Sequence, residues 1–276
     1  MYAMNKIFLL LCSFGMTFLF AQSNDYKPHP KGSFFFYWGY NWDGYTKSDI
    51  HFKGDDYNFE LKDVVARDRQ SPFEASVYLN PQKLTIPQYN LRLGYFINDH
   101  YSISFGADHM KYVMMNDQTV KMTGRISNGT AYDGNYQQAD QVLTHDFLLY
   151  EHTDGLNYLN LELRRFANIY ARKNLEFNYE LGAGAGVVMP KTNCTLMNNE
   201  RHDAFHLAGY GIGVVGALNL TFFKYVFLQT ELKGGFIHLP DVRTTQFKSD
   251  KASQHFFFGQ INAVLGARFP LTKKKD

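Results

Sequence analysis

The chain has 276 residues, of which 45% are hydrophobic and 20% charged, a composition that excludes a disordered or fibrous protein. Its formal net charge of +2 is too balanced for a nucleic-acid-binding protein, which presents a basic face or stripe. The mean hydropathy of −0.34 is typical of a soluble protein, but it does not exclude a membrane β-barrel, in which only every second strand residue faces lipid.

The first 21 residues have the pattern of a secretory signal peptide. Lys6 supplies a basic start, and Ile7 to Phe20 is an apolar run that ends at Ala21. A transmembrane anchor needs a longer run, nearer twenty residues. We therefore expect a signal peptide over 1–21, a periplasmic linker over 22–32, a barrel over 33–269 and a periplasmic tail over 270–276.

Beyond the signal, polar and apolar residues alternate in eight segments, which is the pattern of strands with two different faces. Three pairs of these segments are joined by short turns at 97–100, 171–174 and 222–225, so that each pair predicts a hairpin. The first and last segments stand alone. In chain order the segments are 33–42, 88–95, 101–108, 159–164, 175–182, 210–221, 226–233 and 256–269.

The short turns alternate with long segments at 43–86, 115–155, 190–205 and 239–255. If both termini lie on one side, every short turn falls on that side and every long segment on the other. Aromatic residues also cluster at the proposed periplasmic ends, as at a membrane interface. Together these features predict an all-β fold, a transmembrane antiparallel up-and-down barrel of eight strands with long extracellular loops.

This architecture resembles the small OmpA- and OmpX-type outer-membrane barrels of Gram-negative bacteria, over roughly 33–269. The resemblance implies a location in the bacterial outer membrane, in contact with its lipid and lipopolysaccharide. One departure is that Phe269 is followed by a further seven residues of the expected tail, 270–276, whereas such barrels often end on the aromatic residue.

Two alternatives concern the fold. Residues 48–53 with 57–66, and 118–126 with 142–150, predict two additional hairpins, which we interpret as extensions above the membrane. If one pair spans the membrane the barrel has ten strands, and if both do it has twelve. A soluble lipocalin-like barrel or sandwich also has alternating strands, but the loop asymmetry and the aromatic ends favour the membrane.

The inward faces of the predicted strands carry a nearly balanced set of acids and bases. Charges survive burial when they are paired and hydrogen-bonded, and an eight-stranded barrel is just wide enough to be filled by its side chains. We therefore expect a luminal salt-bridge network that plugs the barrel. Its predicted members are Arg92, Asp108, Glu162, Arg164, Glu176, Glu180, Glu231, Lys233 and Arg268.

Candidate catalytic residues come from the histidines near the outer rim: His152 or His206, with Asp154 or Asp108 as the acid. The spacing of His202 and His206 suits two metal ligands only on a helix, so we expect no metal site. The glycines of 211–216 match a dinucleotide-binding fingerprint, but they lie within a predicted strand, so we expect no nucleotide and no cofactor.

The long loops contain far more residues than strand closure requires, and loops on a rigid scaffold are where recognition usually lies. We therefore favour a non-enzymatic barrel whose extracellular loops bind a surface ligand, or an envelope partner protein within a complex. The alternatives are an outer-leaflet enzyme that modifies lipid A and a narrow pore.

Overall fold

The computed structural model describes residues 28, 30–80, 82–83, 86–199 and 202–271. The predicted signal peptide lies outside the described residues, as do parts of the predicted linker and tail. No helix in the described ranges is long and apolar enough to cross a membrane. The elements in chain order are β1 (Ser33–Tyr45), β2 (Ser48–Lys53), β3 (Tyr57–Val64), β4 (Ala66–Arg67), α1 (Ala75–Tyr78), β5 (Tyr89–Phe96), β6 (Tyr101–Met114), β7 (Thr119–Ile126), β8 (Gly134–Val142), β9 (Leu148–Arg172), β10 (Leu175–Leu196), β11 (His202–Phe205), β12 (Gly209–Phe222), β13 (Val226–Arg243) and β14 (Lys251–Pro270).

Eight strands close into a ring. Their order is β1-β5-β6-β9-β10-β12-β13-β14, and β14 pairs with β1 to complete it. Every pairing in the ring is antiparallel, with Phe34 opposite Tyr95 on one side and Phe269 on the other. Closure pairs the backbone groups of each ring strand with its neighbours, as a bilayer interior requires. The predicted eight-stranded antiparallel barrel is therefore confirmed.

The outward face of the ring is apolar. Leu163, Leu232 and Ile261 are between 53% and 66% exposed, and they alternate with polar residues that point into the bore. On β14 this face extends from Phe257 to Phe269, a height of about 30 Å at the usual strand rise and tilt. A soluble barrel buries its aliphatic face, so the structure contradicts the lipocalin-like alternative.

Aromatic residues lie at both edges of this apolar belt. At the end with the three short turns, here called the turn end, Phe34 contacts Tyr95 with ring centroids 5.1 Å apart. At the opposite end, the loop end, Tyr89 stacks on His109 at 4.9 Å. Rings of this kind sit at the headgroup level of a membrane. The belt and its aromatic edges therefore place the ring across a bilayer.

The remaining strands extend the sheet beyond the loop end. β2 pairs with the free end of β14, and β3, β7 and β8 follow in order. We call these four strands, with the loop-end halves of β6, β9, β10, β13 and β14, the upper unit. The first predicted extra hairpin is present as β2 and β3, and a second hairpin begins with β7. Neither spans the membrane, so the counts of ten and twelve strands are wrong.

One predicted hairpin has the wrong partner strand. Residues 119–126 pair with β8, which overlaps the predicted partner 142–150 only at Val142, because Asp133 closes a turn much earlier in the chain. Its carboxylate accepts hydrogen bonds from the backbone N–H groups of Asn128 and Gly129 at 2.9 and 3.0 Å. Gly129 has φ of +78°, a conformation that glycine adopts without strain. The residues from 148 onward belong instead to β9 of the ring.

The upper unit has its own hydrophobic core, enclosed by the extended sheet. Phe52, Phe59, Phe147 and Tyr150 are all at most 1% exposed. The rings of Phe52 and Phe59 stack at 5.3 Å, and Phe59 contacts Phe147 at 5.9 Å. The long loops are therefore folded into a packed unit that stands on the ring.

Candidate functional site

The polar bore of the ring is built around Arg164 on β9. Its Nη1 lies 2.6 Å from Oε1 of Glu231 and 3.2 Å from Oε2 of Glu180. Its Nη2 lies 2.7 Å from Oε2 of Glu162. The Arg164 side chain is 1% exposed, so its charge is compensated by these carboxylates and not by water.

Two more bases bind Glu162 through its other carboxylate oxygen. Arg92 Nη2 and Lys233 Nζ lie 2.9 and 2.7 Å from Oε1 of Glu162. Lys233 also binds Asp108 Oδ2, and Arg92 lies 3.9 Å from Asp108 Oδ1. These contacts join seven of the nine predicted luminal residues into one cluster, here called the luminal cluster: Arg92, Asp108, Glu162, Arg164, Glu180, Glu231 and Lys233.

The other two predicted members form a pair with each other. Arg268 Nη2 lies 3.0 Å from Oε2 of Glu176, near the turn end of the bore. A cavity of about 10 Å³ lies beside this pair, lined in part by Phe96 and Phe166. That volume is at the lower limit for a single water molecule.

Tyr37 on β1 completes the luminal cluster and was not among the predicted members. Its hydroxyl donates to Glu231 Oε1 at 2.8 Å and accepts from Arg92 Nε at 2.9 Å and Arg164 Nη2 at 3.0 Å. The sequence does contain a signal for it, because Phe34, Phe36 and Trp38 occupy the outward face and position 37 must point inward. With Tyr37, the cluster joins side chains from β1, β5, β6, β9, β10 and β13 across the bore.

The candidate catalytic residues have four different partners. His152 lies in the core of the upper unit, where its Nδ1 is 3.1 Å from Thr192 Oγ1. Asp154 binds Lys191 Nζ at 2.8 Å on the surface. Asp108 belongs to the luminal cluster. The structure therefore does not assemble His152, Asp154 and Asp108 into one site.

His206 has an acidic partner that the sequence did not indicate. Its Nε2 lies 3.0 Å from Asp241 Oδ2, and this hydrogen bond lowers the pKa of Asp241. Among the described residues, no three or more His, Cys, Asp or Glu side chains are grouped as metal ligands. β12 continues as a strand through the glycines of 211–216, without the helix that a dinucleotide site needs.

His152 should make the upper unit sensitive to acid. Burial lowers its pKa to about 3, from an ordinary value of 6.5, because the core favours the neutral ring. Between about pH 6.5 and pH 3 the His152 ring is therefore protonated in the unfolded chain and neutral in the folded chain. The stability of the upper unit should be complete above about pH 6.5 and should fall as the pH drops, by up to about 1.4 kcal/mol per pH unit, until about pH 3.

The measurement is protease resistance of the upper unit between pH 7 and pH 5. His152→Phe places an uncharged ring beside Tyr112 and Tyr150 and should flatten the pH profile. His145→Phe, at an exposed position, is the matched control and should keep the wild-type profile. Identical pH profiles for wild type and His152→Phe would contradict this account.

The closed ring, its outward apolar belt and its charged bore define a transmembrane β-barrel of the outer-membrane type. The chain is accordingly an integral outer-membrane protein. No protein-family model matches its sequence, and no curated protein does.

Several solved structures are similar to the chain. The outer membrane protein OprG from Pseudomonas aeruginosa is 12% identical, covering 89% of this chain and 99% of its own, with a TM-score of 0.39. Neisserial surface protein A is 10% identical, covering 87% and 100%, with a TM-score of 0.35. Ail, the attachment invasion locus protein of Yersinia pestis, is 9% identical, covering 87% and 99%, with a TM-score of 0.32. At these identities and TM-scores the likeness carries no argument about the function of the chain.

Proposed function

We propose that this protein is a non-enzymatic outer-membrane barrel with a plugged bore, which holds a folded extracellular unit for binding a surface ligand or an envelope partner. The observation that carries the proposal is the upper unit itself. Its strands continue the barrel sheet and enclose a hydrophobic core, so its outer surface is held rigidly on the ring. Binding surfaces gain affinity when they are ordered before the partner arrives.

The filled bore supports the proposal that the barrel is a scaffold for the upper unit and not a transport channel. The luminal cluster joins six of the eight ring strands, and the core of the upper unit closes the space above it. An ion crossing the barrel would have to break several buried ion pairs and then pass an apolar core. We therefore expect no steady conductance from the pure protein in a planar bilayer.

The topology can be tested with epitope tags on intact cells. Gly129 is exposed at the tip of the β7–β8 turn, and a side chain added there would meet open space. A tag inserted after Gly129 should be reached by antibody on unbroken cells, because exposed loop tips tolerate insertions. The matched control is a tag after Asn174, in a short turn at the opposite end of the ring.

The Asn174 tag should be reached only after lysis. If it is accessible on intact cells and the Gly129 tag is not, the barrel is inverted. The upper unit would then face the periplasm, and the proposed display of a binding surface outside the cell would be wrong.

A further inference from the structure

A short apolar segment between β4 and β5 belongs to neither interior of the protein. We call residues 71–80, which contain α1, the apron. Within it, Phe73 is 76% exposed and Leu79 is 75% exposed, the two largest values among the large hydrophobic side chains of the described residues. Exposed apolar side chains grouped on one segment mark a surface that contacts a membrane or another protein.

The apron packs on the lipid-facing side of the barrel wall. Tyr40 follows Trp38 on the outward face of β1, and the two aromatic rings are 4.4 Å apart. The aromatic ring of Tyr78, in α1, lies 4.7 Å from that of Tyr40, and the Tyr40 hydroxyl donates to the backbone carbonyl of Tyr78. The apron therefore covers part of the outward face of β1, and it lies outside the bore.

This contact lies at the loop-end edge of the apolar belt. The partner of Tyr40 on β5 is Tyr89, which stacks on His109 at that edge. The aromatic ring of Phe73 is 5.1 Å from that of Tyr78, and Leu79 is the next residue of the chain. The exposed side chains of the apron therefore lie beside the aromatic residues that mark the headgroup level.

The backbone of the apron satisfies its own polar groups. The Tyr78 N–H donates to the Glu74 carbonyl at 2.9 Å, and the Leu79 N–H donates to the Ala75 carbonyl at 3.0 Å. The Tyr78 hydroxyl donates to the Ser71 carbonyl at 2.7 Å. Backbone outside a barrel sheet tolerates the edge of the hydrocarbon when its hydrogen bonds are made internally. These contacts suit a segment that lies in a poorly hydrated surrounding.

The residues just before the apron tie it to the upper unit and to β1. Arg69 Nη2 lies 3.0 Å from Glu151 Oε2 on β9. Gln70 Nε2 donates to the backbone carbonyl of Asn41 at 2.8 Å. The apron is therefore held between the upper unit and the apolar belt.

We propose that the apron inserts Phe73 and Leu79 into the lipid leaflet that surrounds the loop end, and so fixes the upper unit against the membrane surface. The occupant of this apolar surface is bilayer lipid, because the belt already faces lipid at Tyr40 and the apron continues that interface. Apolar side chains of an interfacial segment enter the boundary between headgroups and acyl chains in this way. The contact does not depend on which ligand or partner the upper unit binds.

The experiment places a spin label on Leu79→Cys in the protein reconstituted into phosphatidylcholine vesicles. Oxygen concentrates in lipid and a water-soluble nickel chelate stays in water, so the ratio of their effects on the label reports its surroundings. The references are Leu163→Cys, on the belt, and Asp140→Cys, exposed on β8. The oxygen-to-nickel ratio at Leu79 should match the Leu163 reference and exceed the Asp140 reference several-fold. Cys194 is buried and should take up no label.

A second label, on Phe73→Cys, tests whether Leu79 holds the apron in lipid. Leu79→Asp adds a charge that lipid disfavours, so the ratio at position 73 should fall to that of the Asp140 reference. Asn80→Asp is the matched control. It adds the same charge at the next residue and keeps an oxygen that accepts from the Gln82 N–H, so the Phe73 label should stay in lipid. Heat-modifiable migration on gels checks that each variant retains a folded barrel.

The inference is overturned if the label at Leu79 is as open to the nickel chelate as the label at Asp140. It is also overturned if oxygen and nickel are both excluded, because a second copy or another protein would then cover the apron. Equal ratios at position 73 with Leu79→Asp and with Asn80→Asp would show that Leu79 does not anchor the segment.

Discussion

Replacing Arg164 with alanine is expected to lower the free energy of unfolding by about 3–5 kcal/mol. The guanidinium contacts Glu231, Glu180 and Glu162, and each of these carboxylates is within the bore. Removing it leaves three buried negative charges with fewer compensating bases. It also leaves Tyr37 without one of its two cationic partners. Loss of one partner in a buried network is expensive because the remaining charges stay desolvated.

The measurement is reversible urea unfolding of the barrel in lipid vesicles, compared with wild type. Arg165→Ala is the matched control, since Arg165 is the next residue on β9 and its side chain is exposed on the outer face. We expect the control to change stability by about 1 kcal/mol or less, because Arg165 lies opposite Tyr101 at the turn-end edge of the belt, where a charge on the outer face costs little. An Arg164→Ala protein as stable as the control would show that the luminal cluster is not what holds the bore together.

The sequence predicts the ring well because the bilayer imposes two chemically different faces. In β9, Leu161 and Leu163 face lipid while Glu162 and Arg164 face the bore, and this contrast is visible as strict alternation. β8 has no such contrast. It is the last strand of its sheet and none of its residues is buried, so its polar sequence looks like a loop. The prediction therefore placed the hairpin partner too late in the chain.

The upper core was missed although the sequence contains its signal. Within the belt, the apolar residues of β9 are odd-numbered and face outward, as Leu159 and Leu161 do. Beyond the belt they are even-numbered and buried inside, as Tyr150 and Leu156 are. The apolar residues change from odd to even positions because lipid surrounds one half of the strand and water surrounds the other half. The reversal near 156–159 therefore marks the membrane edge.

The alternation along each strand predicts which side chains enter the luminal cluster, but it does not predict which of them pair with each other. Arg164 binds Glu231 across the bore, from β9 to β13, and the two residues are not on neighbouring strands. Such contacts depend on the curvature and stagger of the closed sheet. The four catalytic candidates are not brought together, for a related reason. Proximity in sequence put His152 beside Asp154, while folding buried the first and exposed the second.

The second large effect is expected in the core of the upper unit. Phe59→Ala should lower the stability of this unit by about 3–5 kcal/mol, because it leaves a cavity in a tightly packed aromatic cluster. Phe59 is 1% exposed, and its ring lies 5.3 Å from Phe52, 5.9 Å from Tyr57 and 5.9 Å from Phe147. The neighbours come from β2, β3 and the segment before β9, so the loss weakens contacts between distant parts of the chain.

The measurement compares protease cleavage in the turns at 54–56 and 127–133 with heat-modifiable migration of the barrel on gels. Phe59→Ala should be cleaved rapidly in these turns while the ring still migrates as a folded barrel. Asn58→Ala is the matched control, because Asn58 is exposed on the same strand and should leave both readouts unchanged.

Protease cleavage and gel migration should respond differently to Phe59→Ala, because the ring and the upper unit have different interiors. The ring is held by backbone pairing around a closed circle and by the luminal cluster, neither of which includes Phe59. The upper unit depends on apolar burial between strands that water surrounds. If Phe59→Ala unfolds the ring at the same temperature as the upper unit, the two form one cooperative structure. The rigid surface outside the cell would then depend on the stability of the whole barrel.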